Sequence, residues 1–577
     1  MNATESYHQL CNFYPTTEQE EAFDVLINGG SSKNPLVLRL PCGYGKTESV
    51  VIPFLSQAFS GKWSLAPRLI YVLPTRALCN QIAERIETYA SRVESISGRK
   101  LKVSIEHGIS SQDPLFFADI CVTTLDQFLY GYARTKAHIG KHVDMPAGAF
   151  ANSIVVFDEA HLYSPYTHAL LKAMLDILCY SNVPVVVMTA TMPKTLHEDL
   201  LKDLKSLHIE FKGKFLCERE LSWEMKEWRL LDGDKASESL IDFLNSAKDR
   251  KILIVANRVD VAQKLAIDKR LRDDGVKLIH SRFSVKDRGD KEKAVIDLLG
   301  KGSKGQNGIV ISTQVCEVGL DISADILITE CASADALVQR IGRVARWGGS
   351  GEVLIIKPVP GSDDKGGKEK FYPYVDEKLG EKGDFVKLAD EYLRSHHDLD
   401  FTSWDSVTKF CDQMEYRVGY VEARNAMGQL FEATLYADSV PYTLSARNEL
   451  YCTVFIGTVP NPKKKKSSEL GTSISINESE FKVTDQIHYG EIKQSCLNVS
   501  YLWFRRFWRD GKGLKIVEYD PKTQMIKENT WNKRPLPFKI YALVDDKDAK
   551  EADKNYDSYI GLIPKAQELI EEACMIC

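Results

Sequence analysis

With 577 residues, 44% of them apolar, and a formal charge of −5, the chain is globular and too long for one core; roughly 150 residues per domain leaves room for three or four. The acidic balance excludes a generally basic nucleic-acid coat and still allows a channel lined by local basic patches. The first ten residues lack a basic n-region and an apolar h-region, no run approaches the roughly 18 apolar residues of a membrane span, and the thirteen cysteines follow no framework spacing. The expectation is a reduced, cytoplasmic protein.

Near the N-terminus Phe13, Tyr14 and Gln19 combine aromatic surface with an amide, a set suited to an adenine pocket or to plain polar surface. Short Val- and Ile-rich runs follow at 36–40, 69–73, 119–122, 154–157 and 185–188, separated by longer helix-like stretches. A second series occupies 252–255, 276–279, 308–311, 326–328 and 352–356. Continuous apolar character marks strands buried on both faces, and the long connections suit crossover helices. The expected fold is therefore α/β, two consecutive parallel-sheet domains (1–218 and 219–360) with their boundary between Phe211 and Lys235. A polar, glycine-rich stretch at 361–368 opens a more helical linker region to 478, and a small accessory domain with strand-like runs fills 479–577.

The first strand runs into Pro41-Cys42-Gly43-Tyr44-Gly45-Lys46-Thr47. Gly43 and Gly45 let backbone N–H groups converge on anionic oxygens at a helix start. Lys46 would reach the β and γ phosphates of ATP, and the Thr47 hydroxyl would ligate Mg²⁺. Leu40 stands where the strict phosphate-loop pattern has glycine. About a hundred residues later another buried strand ends in Asp158-Glu159-Ala160-His161. Of the adjacent carboxylates, Asp158 is the better metal partner and Glu159 the better base for an attacking water. Further on, the 339–346 segment carries Gln339, Arg340, Arg343 and Arg346. The spacing predicts Arg343 and Arg346 on one helical face, where a guanidinium delivered to the γ-phosphate would stabilise the charge of the transition state.

At these residues the chain resembles superfamily 2 helicases, over most of residues 13–350 and with the motifs in order. After the phosphate loop come Leu73-Pro74-Thr75-Arg76, Val122-Thr123-Thr124-Leu125-Asp126, the Asp158 box and Thr189-Ala190-Thr191. The second domain adds Ala256-Asn257-Arg258, His280-Ser281-Arg282-Phe283, Thr313-Gln314-Val315-Cys316-Glu317-Val318-Gly319-Leu320-Asp321 and the arginine segment. Within that superfamily the wording is similar to the CRISPR-associated helicase of type I interference systems. The resemblance implies tandem RecA-like domains, with ATP and Mg²⁺ as cofactors. It places Gln19, His161, Gly319, Asp321 and Gln339 at the nucleotide, and Thr75, Arg76, Thr124, Asp126, His280, Ser281, Arg282 and Thr313 on a single DNA strand. Short hydroxyls and backbone amides at strand ends grip phosphates without reading sequence. Ala345 departs from the usual glycine and is expected to be harmless.

The resemblance also implies 3′ to 5′ movement, recruitment to a guide-RNA surveillance complex, and a separate histidine–aspartate nuclease, since only twelve residues precede Phe13. His396-His397-Asp398 is expected to be a solvated helix end. Lys463 to Lys466 form either a solvated loop or a phosphate contact. The segment with Trp503, Phe504, Phe507, Trp508 and Arg505, Arg506, Arg509 stacks on a displaced strand or forms an aromatic seam. The terminal Cys574-Met575-Ile576-Cys577 reads as a frayed tail. An RNA helicase, or an ATP-gated remodelling subunit with little unwinding, remains open beside the DNA motor.

Overall fold

The structure is a computed structural model. It describes residues 2–413 apart from 30–33, 42, 109, 135, 137–141, 143, 164, 214–218, 273–274, 304–306, 361–370, 372 and 376–382; beyond 413 it describes 425, 427–428, 451–455, 473–476, 479–482, 494–500, 514–520, 525–531, 540–542 and 556–562. The lysine run, the aromatic–basic segment around Trp503 and the terminal cysteines lie outside the described residues. The chain divides into two compact units, 1–216 with 396–448, and 217–395 with 449–577.

In the first unit helices α1 (Ala3–Cys11) and α2 (Thr17–Ile27) precede β1 (Leu36–Arg39), α3 (Lys46–Ser60), β2 (Arg68–Leu73) and α4 (Arg76–Ser97). Then come β3 (Val103–Glu106), β4 (Ile120–Thr124), α5 (Leu125–Tyr132), α6 (Met145–Ala151), β5 (Ser153–Phe157), α7 (Pro165–Tyr180), β6 (Val185–Thr189), α8 (Lys194–Leu201) and β7 (Leu207–Glu210). The sheet has seven strands in the order β3-β4-β2-β5-β6-β1-β7, and every pairing is parallel. Central strands β4, β5 and β6 are buried throughout, which is why their sequences read as unbroken apolar runs.

The second unit contains β8 (Arg219–Lys226), β9 (Leu231–Asp232), β10 (Lys235–Ala236), α9 (Glu238–Ser246), β11 (Lys251–Val255), α10 (Val259–Ile267), α11 (Lys269–Arg272) and β12 (Lys277–Ile279). It continues with α12 (Val285–Leu299), β13 (Gly308–Ser312), β14 (Ile326–Glu330), α13 (Ala334–Ile341), β15 (Gly349–Ile356) and α14 (Phe385–Ser395). Its six-stranded sheet, β12-β13-β11-β14-β15-β8, is again parallel throughout. The chain then returns to the first unit with α15 (Trp404–Cys411).

Later strands β16 (Tyr451–Phe455), β17 (Ser473–Ile476), β18 (Ser479–Lys482), β19 (Cys496–Ser500), β20 (Leu514–Asp520), β21 (Met525–Trp531), β22 (Ile540–Ala542), β23 (Tyr556–Asp557) and β24 (Gly561–Leu562) group with the second unit. A mixed sheet, β19-β16-β22-β20-β21, joins β16 to strands that follow residue 479. The β23–β24 hairpin packs on the second unit near α10 and the end of β12, where Gln263 Nε2 donates to the Ile560 and Leu562 carbonyls and Leu562 N–H donates to Arg282 O. No helix among the described residues is long and apolar enough to cross a membrane.

Candidate nucleotide and strand sites

A parallel sheet collects the loops that follow its strands along one edge, and ligands of such sheets bind there. The phosphate loop follows β1 and the Asp158 box follows β5, with β6 between them in the sheet. Gly43 and Gly45 take φ of 83° and 80°. At Gly45 the left-handed backbone favours glycine, and a Cβ there would lie 2.3 Å from Gln19 Nε2 and displace that amide. Gln19 is buried and braces the loop: Nε2 donates to the Gly45 carbonyl at 3.2 Å and to that of Tyr44 at 3.5 Å, while Oε1 accepts from Thr16 N–H. Phe13 and Tyr14 are exposed.

Lys46 begins α3 and is buried, its Nζ 3.3 Å from the Leu40 carbonyl and 3.4 Å from Glu159 Oε1. Glu159 takes φ 51°, a left-handed conformation that costs an L-residue about 1–2 kcal/mol. Asp158 is pinned on both oxygens, Oδ1 by the Glu159 N–H at 2.9 Å and Oδ2 by the Tyr71 hydroxyl at 2.7 Å. Burial first, and then the adjacent Glu159 carboxylate, push the Asp158 carboxyl up to about 7, against the opposite pull of Lys46 and Tyr71. Tyr71 also lies 3.4 Å from Thr47 Oγ1. The loop is buttressed further out: Tyr44 donates to Glu18, Tyr89 donates to Glu48, and Leu40 and Tyr44 pack with Phe211 and Trp404 of α15. His161 lies in the short 3-10 turn after Glu159.

Tyr71 is the functional-site residue that a reading by apolar runs passes over. The signal was present, since a phenol inside a strand buried on both faces needs a hydrogen-bond partner.

The remaining first-unit candidates lie at the ends of β2 and β4. Thr75 caps α4, accepting from Leu78 N–H, and Arg76 follows it with its guanidinium beneath Gly108. Thr124 is buried, and Asp126 is partly buried in the first turn of α5.

In the second unit several candidate side chains are committed internally. His280 is fully buried: Nδ1 accepts from Arg282 N–H, Nε2 donates to Ile560 O, and the ring stacks on Phe283. These bonds fix a neutral imidazole, and burial together with Arg282 holds its pKa well below the usual histidine range. His280 therefore does not reach a strand, whereas Ser281 is exposed and Arg282 partly so. Thr313 is buried after β13.

The arginines also differ from expectation in one respect. α13 ends at Ile341, so Arg343 and Arg346 stand in the turn beyond the helix instead of sharing a helical face. The helix stops because the chain swings to bridge Val344 to Ala324, and Ala345 adopts φ 45°. That left-handed backbone accounts for the usual glycine and makes Ala345 strained, contrary to the expectation that it is neutral. Arg343 is buried, donating to the Cys316 and Glu317 carbonyls at 3.0 and 2.5 Å. Arg346 pairs with the half-exposed Asp321 at 3.1 Å. Gly319 turns the intervening loop with φ 89°, and Gln339 is buried. Arg340 is the hub, bonded to Glu317, Asn257, Thr329 and Tyr374. His396 follows the end of α14, and among the described residues no group of three or more His, Cys, Asp or Glu is placed to hold a metal ion.

Two protein families match the chain: DEAD/DEAH box helicase over residues 16–199, and the C-terminal part of the CRISPR-associated nuclease/helicase Cas3 over 248–348. The CRISPR-associated helicase Cas3 of Thermoproteus tenax is 32% identical over 352 residues, 59% of this chain and 58% of that protein. Both matched stretches are thus similar to Cas3-like helicases. A putative CRISPR-associated nuclease/helicase Cas3 of Methanocaldococcus jannaschii is 31% identical over 59% of the chain and 47% of its own length. The chain thus spans about half the length of these curated relatives. Among solved structures, T. fusca Cas3 with ATP superposes with a TM-score of 0.64 at 18% identity, covering 87% of this chain and 65% of that one. A chain of a pre-nicking CRISPR RNA-guided surveillance complex gives 0.58 at 17%, covering 92% and 68%. These likenesses establish the tandem RecA-like fold.

Proposed function

We propose that the chain is an ATP-driven motor that moves 3′ to 5′ on single-stranded DNA exposed by a guide-RNA surveillance complex. The observation that carries this reading is the cluster at one sheet edge, in which Lys46, Thr47, Asp158 and Glu159 are brought together by direct contacts and through Tyr71. Lys46 already sits against an anion, Glu159, and would exchange it for the β and γ phosphates. Released from that pair, Glu159 would orient and deprotonate the attacking water. Thr47 Oγ1 and the Asp158 carboxylate are hard oxygen donors and fit a small divalent cation. Mg²⁺ held there with the nucleotide would neutralise phosphate charge.

Arg343 and Arg346 supply the cations that stabilise the transition state. Thr75, Arg76, Ser281 and Arg282 grip strand phosphates. The names of the relatives support the CRISPR context. The test is ATP hydrolysis measured with single-stranded DNA and with RNA, beside strand displacement on tailed duplexes of both polarities. Stimulation by DNA with 3′-tailed unwinding is expected. Greater stimulation by RNA would overturn the DNA assignment, and hydrolysis without displacement or movement would favour a remodelling subunit.

A further inference from the structure

One buried hydroxyl at this edge has no part in the chemistry above. Tyr71 lies in the middle of β2 and is wholly buried. In the register with β5 it faces Val156, two residues before Asp158, so its ring runs towards the sheet edge where the Asp158 carboxylate stands. Its Oη is 2.7 Å from Asp158 Oδ2 and 3.4 Å from Thr47 Oγ1.

A phenol has one proton, and Asp158 in the ionised form that would hold a cation can only accept, which fixes the direction of both bonds. Tyr71 donates to Asp158, and the Thr47 hydroxyl donates to the Tyr71 oxygen. With Asp158 Oδ1 already held by the Glu159 N–H, both carboxylate oxygens are oriented. The Thr47 proton is also committed, leaving that oxygen's lone pairs for a cation.

The geometry points to Tyr71 as the positioning residue that holds Thr47 and Asp158 at the spacing a divalent cation requires. This rests on the ATP-motor reading of the same site. Outer partners that orient metal-binding side chains commonly contribute about 10–100-fold to metal affinity. Phenylalanine would fill the same space in the core but could not bridge the two groups.

The test is Tyr71→Phe in the full chain, with a fluorescent ATP analogue as probe. Its affinity is measured in EDTA and then across a Mg²⁺ titration. Expected is binding in EDTA within about twofold of the unmodified chain, with the half-saturating Mg²⁺ raised about tenfold. Asp158→Asn and the double variant complete a cycle; if Tyr71 acts through Asp158, the two effects on Mg²⁺ dependence are not additive. Unchanged Mg²⁺ dependence in Tyr71→Phe would overturn the inference. So would an equal loss of binding with and without Mg²⁺, because that marks a general packing role. Failure of the unmodified chain to bind the nucleotide would overturn the motor reading itself, and this inference with it.

Discussion

The two parallel sheets present their functional edges in opposite conditions. In the first unit Lys46 is paired with Glu159 at the sheet edge and Asp158 is held by Tyr71, so a polyphosphate can replace Glu159 on Lys46 while Tyr71 keeps Asp158 in place. In the second unit two of the motif side chains serve the fold. Arg340 is buried in bonds that include the loop after β13, and His280 is sealed by the β23–β24 hairpin. The difference teaches that a motif residue at a strand end can hold a loop in shape without touching the ligand that the loop binds.

The largest effect that sharpens this comparison is expected in the first unit. Lys46→Ala and Glu159→Gln should each lower ATP turnover by at least about 100-fold, as measured by phosphate release. Glu159→Gln should still bind nucleotide, because the phosphate loop keeps its shape. In the second unit the expected loss is of a different kind. His280→Ala should lower unfolding stability by about 2–3 kcal/mol, since it leaves a cavity and an orphaned Ile560 carbonyl, while leaving single-strand affinity nearly unchanged. Arg282→Ala should do the reverse, weakening binding and lowering its salt slope by about one with little effect on unfolding. Loss of strand affinity in His280→Ala, with stability intact, would break the distinction.

A smaller effect comes from acid. His197 packs edge-on to His208 in the first unit, and its pKa is pushed down to about 4 by burial first, then by His208 and Arg39. Unfolded histidine titrates near about 6.5, so between these values the unfolded chain binds the extra proton. Stability should therefore be lost as pH falls from about 6.5 towards 4. His197→Gln should flatten that slope in denaturant titrations at stepped pH, and an unchanged slope would remove this histidine from the account. The smallest effect is a gain: Ala345→Gly should raise stability by about 1 kcal/mol or less, visible as a higher unfolding temperature, by relieving the left-handed backbone.

How much of this was legible in the sequence depended on burial. The strands buried on both faces, such as β5 and β6, stood out as apolar runs. β3, β7 and β8 did not, and all three are edge strands with partly exposed patterns, β8 alternating along its length. The loop glycines and the adjacent carboxylates were legible because phosphate chemistry demands those residue types. Gln19 was legible as a participant and not in its place, since a local pattern cannot show that its amide turns back onto the Tyr44 and Gly45 carbonyls. The same holds for His280, whose partner Ile560 lies 280 residues away.

Trp404 has a consequence for the order of synthesis. It packs on Phe211, which packs on Tyr44 of the phosphate loop, yet it is made only after every strand of the six-stranded sheet. A ribosome builds the N-terminal part first, so the nascent first unit must wait with the flank of its loop uncovered until α15 emerges. A fragment ending before residue 396 would stay in that unfinished state, with Phe211 facing water and the loop missing one of its walls.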